Sequence, residues 1–457
     1  MGPVSPMATI LIAPFPERGH VNPTLRLAKQ LRERGHRVVY CSIADIEDPV
    51  LAEGFEFVRI FERLCPKGTY ARAVKEASGL RGLQLLLFAR KFMAMQTGML
   101  RAMMEGELDG LLKALRPELL LCDVLMPHPP LVAYGHGVPV LLFNTTIPLR
   151  REPGEPPLGS GEIPDGRWVT RARIAGAWWR LSARNWRDAV KVWLGLSSPN
   201  RRYLRLLARR HGFPSEALDF EGQSPGLRLP ELVLCPRQFV EFGRARTGGQ
   251  YLYTEASIDL ERQEPDFPWE RLPEDKPLHL FSLGTMQYRA ETQALFHGAV
   301  LEIARRRPDW SLVLSLGRTG RTPGLESAPP NLIAVEQVPQ LQLLRRATSM
   351  VTHGGFNSVK ESIHFGVPMV VVPHLHDQPG IAARVVYHGL GERLDPSRLS
   401  PERLLSLVEK VSHEPSYRRA AERMRAHFHD AESNARCVDV IQRFLDSGPG
   451  GVAWQVR

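Results

Sequence analysis

Met350-Val351-Thr352-His353-Gly354-Gly355-Phe356-Asn357-Ser358-Val359-Lys360-Glu361 is the stretch on which the fold of this chain turns. Its first part is apolar, its last part has helical spacing, and two adjacent glycines separate them. Met350–His353 reads as a strand of a parallel sheet covered on both faces, and Asn357–Phe365 as the helix that follows. Paired glycines at such a junction let the backbone come close to a ligand. Asn357 or Ser358 is the expected helix cap, which leaves first-turn amides and the positive end of the helix dipole facing outward. Such a terminus suits phosphate. The dipole contributes only about 0.3–2 kcal/mol, so hydrogen bonds from His353, Ser358 and backbone N–H groups must add to it. Glu361, one turn into the helix, is within reach of a ribose diol. The plainer reading of the same residues is a strand–turn–helix whose glycines serve packing alone.

The alternation continues on both sides. Leu278–Leu283, Ser311–Leu316, Leu332–Val335 and Met369–Val372 read as strands, with Ala290–Arg307 and Leu341–Ala347 as helices between them. Ser282-Leu283-Gly284-Thr285 brings a small residue, a glycine and a hydroxyl to another strand end, facing the other side of a diphosphate. After Met369–Val372 comes His374-Leu375-His376-Asp377-Gln378. A carboxylate beside an amide suits sugar hydroxyls, which both donate and accept. A metal on His374, His376 and Asp377 would have nothing nearby to complete a zinc shell.

The front half opens the same way. Ile10–Ala13 reads as a strand and Pro14–His20 as a loop. A helix capped by Asn22, with Pro23 at its first position and Gly35 at its end, leads into the strand Val38–Ser42. Leu119–Cys122 and Val138–Phe143 are further strands. Glu152–Trp168 is Pro/Gly-rich and reads as loop, followed by aromatic, Arg-rich helices to Gly212. Arg244–Lys276 is charged and reads as an interdomain linker. Strands alternating with helices in both halves predict an α/β protein of two Rossmann-like domains, with a ligand cleft between the carboxyl ends of two sheets.

Bulk composition narrows the function. A length of 457 residues suits two large domains, and 43% hydrophobic residues can build their cores. The net charge of +10 points to an anionic partner. The arginines are not interleaved with aromatics in any nucleic-acid module, so no nucleic-acid partner is expected. The five cysteines, Cys41, Cys65, Cys122, Cys235 and Cys437, contain no C-x-x-C pair and predict a reducing, cytoplasmic setting. The amino terminus lacks the charged region of a signal peptide. The greasy run Leu80–Met104 is broken by Arg81, Arg90, Lys91 and Arg101 and does not read as a membrane span.

Val338-Pro339-Gln340, then His353 to Ser358 with Glu361, then Asp377-Gln378, resemble in order and spacing the nucleotide-sugar signature of the family 1 glycosyltransferases. Gly19-His20 ahead of Asn22-Pro23 resembles the same family's acceptor domain. The resemblance covers nearly the whole chain, with Phe61–Arg116 and Glu152–Arg244 least recognisable. It implies a GT-B fold with an acceptor-binding domain over 1–243 and a nucleotide-sugar-binding domain over 244–434. A C-terminal helix and tail over 435–457 would pack back on the first domain.

The resemblance also implies roles. His20 matches the catalytic base and Asp123 the acid that orients it. His353, Gly355, Asn357 and Ser358 match the diphosphate contacts, joined by Ser282, Thr285 and Gly19. Glu361 matches the ribose ligand, Asp377 and Gln378 the sugar contacts, and Gln340 with the backbone of Val338 the base site. Many members place a stacking tryptophan where this chain has Gln337, which leaves uridine and thymidine donors both open. Asp377-Gln378 favours UDP-glucose or a similar hexose donor. The chain contains no Asp-x-Asp pair, so inverting transfer without metal or cofactor is expected, the nucleotide sugar being a co-substrate.

Phe88, Phe92, Met93 and Trp178 are candidate acceptor contacts, because Met-rich and aromatic surfaces adapt to bulky apolar ligands. A lipophilic hydroxylated acceptor such as a polyketide, macrolide, carotenoid or sterol follows. Weak peripheral membrane association is compatible with this reading, as is either a monomer or a dimer. Three rival readings remain. Gly222-Gln223-Ser224-Pro225-Gly226 fits the G-x-S-x-G of a serine hydrolase, but Pro225 lacks the oxyanion N–H. The others are a membrane-surface glycosyltransferase acting on a glycolipid, and a non-catalytic sugar-nucleotide binding protein.

Overall fold

The apolar runs assemble two parallel sheets. The computed structural model describes residues 7–77, 80, 82–193, 200–247, 250–284, 290–317 and 324–446. In chain order its strands are β1 (Thr9–Ala13), β2 (Arg37–Ser42), β3 (Glu56–Arg59), β4 (Leu119–Asp123), β5 (Val140–Asn144), β6 (Leu218–Asp219), β7 (Gly226–Leu227), β8 (Glu231–Val233) and β9 (Tyr251–Tyr253). Then come β10 (Leu278–Ser282), β11 (Ser311–Ser315), β12 (Leu332–Val335), β13 (Ala347–Thr352), β14 (Met369–Val371) and β15 (Gly391–Arg393). One sheet runs β3-β2-β1-β4-β5-β8-β9, the other β12-β11-β10-β13-β14-β15, and β6 with β7 forms a separate ribbon.

Both sheets reverse their strand order beside a central strand, at β1/β4 in the first and β10/β13 in the second. Crevices open at the carboxyl ends of strands at such switch points. Ala13 pairs with Cys122 in one sheet and Ser282 with Thr352 in the other. The residues that follow these strands, His20 with Asp123 and Gly284 with His353, are therefore brought together by topology.

Alternate residues of β1 feed opposite cores, as expected for a strand covered on both faces. Ile10 and Ile12 pack with Val21, Leu27 and Leu31 of the following helix, while Leu11 and Ala13 face the cluster of Leu131 and Val132. Cys437, Val438 and Ile441 of the helix Cys437–Asp446 join Ile10 and Ile12, so the chain returns to the first sheet at its end. The tail beyond 446 lies outside the described residues.

Three sequence expectations need correction. The first helix begins at Arg18, not after Asn22, and holds Pro23 in its interior. Tyr251–Tyr253, inside the stretch read as linker, is the seventh strand of the first sheet. The helix after β13 is capped by Gly355, with no side-chain cap from Asn357 or Ser358. Each miss has a local cause. Proline favours the first helical position on local grounds, a three-residue strand carries too little periodicity, and a glycine N-cap has no side-chain signature. All five cysteines are buried and unpaired. Among the described residues no helix is long and apolar enough to cross a membrane.

Candidate active site

Pro23 has no N–H, so the carbonyl of Gly19, four residues earlier, gets no helical hydrogen bond. The side chain of Asn357, from the other domain, donates to that carbonyl at 2.9 Å. The peptide beside His20 is thereby joined to the glycine turn at Gly354-Gly355.

His20 Nδ1 lies 2.8 Å from Asp123 Oδ2 and 2.8 Å from Thr145 Oγ1. Asp123 is fully buried and also accepts from the Leu125 amide at 2.9 Å, which fixes the carboxylate. With Nδ1–H held by Asp123, the free lone pair of a neutral imidazole sits on Nε2. That nitrogen has no hydrogen bond among the described residues, and the side chain keeps 17% of its surface exposed. Burial opposes protonation of His20, but the carboxylates of Asp123, Glu17 and Asp377 outweigh it and hold the pKa above 6.5. The arrangement can take a proton at Nε2 and stabilise the resulting imidazolium.

Opposite stands the cradle. Gly354 has a φ of 87°, a conformation that favours glycine. The His353 ring is wedged between two glycines: a Cβ on Gly284 or on Gly355 would lie 2.3 Å from it. Burial, with the nearby His374, pushes the His353 pKa down to about 4. At neutral pH it faces a ligand as an uncharged imidazole. The helix Phe356–His364 has no side-chain cap, so its first-turn amides are left able to donate to an anion. Lys360 is buried and donates to the carbonyls of Ala256, at 2.8 Å, and Leu234, tying this helix to the first domain. Ser282 Oγ accepts from the Gly284 amide at 3.2 Å. Thr285 lies outside the described residues.

Glu361 is buried and does not stand alone. Gln340 Nε2 donates to it at 2.7 Å and also reaches Ser358 Oγ at 3.3 Å. Arg262 grips both carboxylate oxygens, one of them at 3.0 Å. Glu264 in turn accepts from the amides of Leu341 and Gln342 at 2.8 and 3.0 Å, capping the short helix Gln340–Leu344. Sequence reasoning missed Arg262 and Glu264. Both lie in the charged stretch that reads as linker, and only the fold brings it against Glu361 and the helix Gln340–Leu344. Val338 is partly buried against the core of this domain, and Gln337 is exposed.

Asp377 is half-buried at the start of the helix Gln378–Tyr387 and accepts a short hydrogen bond from Thr146. Gln378 is buried, and its amide oxygen accepts from the backbone of His374 at 2.8 Å and Leu375 at 3.1 Å. The Pro/Gly-rich loop of the first domain packs on this same helix. A Cβ at Gly380 would meet Leu158 at 2.7 Å. Arg384, fully buried, donates to the carbonyl of Val240 at 2.6 Å and reaches Glu155, which also pairs with Arg246.

The acceptor candidates fall into two places. Phe88 and Phe92 stack with centroids 6.1 Å apart, and Tyr70 lies 6.2 Å from Phe92. The Tyr70 hydroxyl donates to Glu17, three residues before His20, at 3.3 Å. This aromatic run therefore reaches the His20 loop, and Met93 is half-buried beside it. Trp178 is buried instead, with its indole N–H donating to the Glu155 carbonyl at 2.8 Å. Ser224 sits in the turn between β6 and β7, not on the strand-to-helix elbow a serine hydrolase needs.

Two Rossmann-like domains, with a His–Asp pair from one facing a glycine turn and helix terminus from the other, define a nucleotide-sugar-dependent glycosyltransferase of GT-B fold. Residues 305–445 match the family described as Erythromycin biosynthesis protein CIII-like, C-terminal domain. The chain is 26% identical over 447 residues to NDP-glycosyltransferase YjiC of Bacillus licheniformis, covering 97% of this chain and 98% of that protein. It is 27% identical over 446 residues to demethyllactenocin mycarosyltransferase of Streptomyces fradiae, covering 96% and 87%. The crystal structure of the glycotransferase of kitacinnamycin superposes with a TM-score of 0.65 at 26% identity, covering 96% and 98%. Over nearly its whole length the chain is thus similar to nucleotide-sugar glycosyltransferases.

Proposed function

We propose that this enzyme transfers a hexose, glucose above others, from a nucleoside diphosphate sugar to a hydroxyl of a lipophilic natural product such as a polyketide or macrolide. The observation that carries this reading is the His20–Asp123 pair, joined through Gly19 and Asn357 to the diphosphate cradle. The His20 Nε2 takes the acceptor hydroxyl proton as its oxygen attacks the anomeric carbon. Asp123 stabilises the imidazolium that forms. The bond from the anomeric carbon to the diphosphate oxygen breaks, and the growing negative charge is met by the amides at the Phe356 end of its helix and by His353. One displacement inverts the centre, so an α-linked donor yields a β-glycoside. With those donors and no Asp-x-Asp pair, the transfer needs no divalent metal. The names of the mycarosyltransferase and kitacinnamycin relatives support a natural-product acceptor, and the five unpaired cysteines a reducing, cytoplasmic setting.

The test is incubation with UDP- and TDP-hexoses, a panel of hydroxylated polyketides and excess chelator, followed by NMR of the product. A β-linked glycoside formed at undiminished rate is expected. An α-linked product, or transfer abolished by the chelator with melting and donor binding unchanged and restored by divalent metal, refutes the proposal.

A second feature favours weak attachment to membranes. Trp168, Trp179 and Trp186 of the helix Trp168–Trp193 are 79%, 72% and 70% exposed. Their spacing, near whole numbers of helical turns, aligns them on one face. Arg173, Arg180, Arg184 and Arg187 are exposed alongside. Tryptophans flanked by arginines suit the interface of an anionic bilayer, where a lipophilic acceptor also partitions.

A further inference from the structure

The helix that opens on the cradle ends at His364, and a second set of ligand-type side chains gathers there. One atom each of His364, His429 and Glu432 lie within 4.8 Å of one another. His429 and Glu432 are three residues apart on the helix Pro415–Asn434 and so share a face. His364 comes from the neighbouring helix, its ring centroid 4.8 Å from that of His429. His429 Nε2 is buried without a hydrogen-bond partner, whereas His364 Nδ1 is paired with the Glu432 carboxylate. Leaving a buried polar atom unsatisfied costs about 1–3 kcal/mol, and the orphaned His429 nitrogen beside a His–carboxylate pair asks for a shared partner. His364 Nδ1 is 3.3 Å from Glu432 Oε1. That is the edge of a tetrahedron about 2.0–2.1 Å from its centre, the bond length of zinc to imidazole or carboxylate.

We propose that His364, His429 and Glu432 form a structural Zn²⁺ site, with water as the fourth ligand. Two imidazoles and one carboxylate favour zinc over magnesium or calcium, which take oxygen shells. His364 and Glu432 already stand at bonding separation, and the His429 ring closes the site by a side-chain rotation. Glu432 keeps 23% of its surface exposed, which gives the ion a way in. Arg26 also faces the set, 3.8 Å from the Glu432 carboxylate. Its guanidinium is also held by the Ile258 carbonyl at 2.5 Å, so it acts as an outer partner of Glu432. The site lies at the far end of a nine-residue helix, about 12 Å from the cradle at 1.5 Å per residue. The ion therefore touches neither donor nor acceptor. It clamps the cradle helix to the helix Pro415–Asn434, and through Arg26 to the helix that carries His20.

The experiment uses full-length, tag-free protein stripped with chelator. Co²⁺ is titrated by its visible ligand-field bands, Zn²⁺ by competition with a chromogenic chelator, and melting is followed with and without Zn²⁺. One equivalent of tetrahedral Co²⁺, displaced by Zn²⁺, and a raised melting temperature are expected. His429→Gln and Glu432→Gln, both at partly exposed positions, should each abolish the bands and the thermal gain with circular dichroism unchanged. His427→Gln, at an exposed position on the same helix, should retain both. Absence of stoichiometric binding, or binding that survives in His429→Gln and Glu432→Gln, overturns the proposal.

Discussion

Replacing Gly355 by alanine adds a single methyl group, and the structure says what it meets. The new Cβ would lie 2.3 Å from His353 Nε2 and 2.6 Å from Cε1, whereas carbon atoms in contact sit about 3.5–4.0 Å apart. The ring must retreat by more than about 1 Å to restore that spacing. It cannot retreat toward Gly284, where the space for a Cβ is filled by the same ring at 2.3 Å. Overpacking of this kind costs about 1–3 kcal/mol. If the ring moves to relieve it, the hydrogen bond to the diphosphate is what is lost. At 1.4 kcal/mol per tenfold, donor affinity should then weaken by about tenfold to a hundredfold. Calorimetry with UDP and TDP measures the binding, and thermal melting measures any loss of stability. Gly298→Ala is the control, because it lies at an exposed position of the helix Ala290–Arg306 with nothing within 4 Å of its Cβ. It should stabilise by about 0.4–1 kcal/mol through the unfolded state and leave donor binding alone. A Gly355→Ala protein with normal melting and normal donor affinity would refute the wedge.

Other consequences concern charge. Because burial is outweighed by Asp123, Glu17 and Asp377, the His20 pKa lies above 6.5, and the base-active neutral form is lost as pH falls through that raised value. The acid limb of kcat/KM should therefore sit above 6.5, and Asp123→Asn should move it down while lowering the rate. The protonated pair contributes stability that is fully present below 6.5 and lost as pH rises through the folded pKa. Arg262→Met leaves the buried Glu361 with Gln340 as its remaining polar partner. It should cost about 3 kcal/mol in denaturant titration, the low end for breaking a buried pair whose cation is partly exposed. Glu361→Gln should shrink any preference for UDP over TDP, since only the ribose of UDP carries the 2′-hydroxyl. Trp179→Ser with Trp186→Ser should reduce sedimentation with anionic vesicles and leave neutral vesicles unaffected; an unchanged anionic pellet would remove the membrane reading.

The parts legible in the sequence were those where local pattern and long-range order agree. The apolar run Met350–Thr352, the paired glycines and the helix after them need no tertiary context, and neither does the strand ending at Asp123. What escaped depends on contacts between distant segments. Pro23 looks like a helix start unless Asn357 is known to stand opposite the Gly19 carbonyl. Arg262 and Glu264 look like linker charges until the chain folds across the nucleotide side. Tyr251–Tyr253 becomes a strand only because β8 offers it an edge. Trp178 looked like an acceptor wall, and its burial under the Glu155 carbonyl comes from a loop with no periodicity to read.

The decisive measurement is single-turnover transfer by His20→Ala at saturating donor, with donor binding measured on the same preparation. The dyad predicts a loss of about 10²–10⁴ in rate with the affinity for UDP-sugar unchanged. Transfer at near wild-type speed by a verified variant would mean that another group removes the acceptor proton.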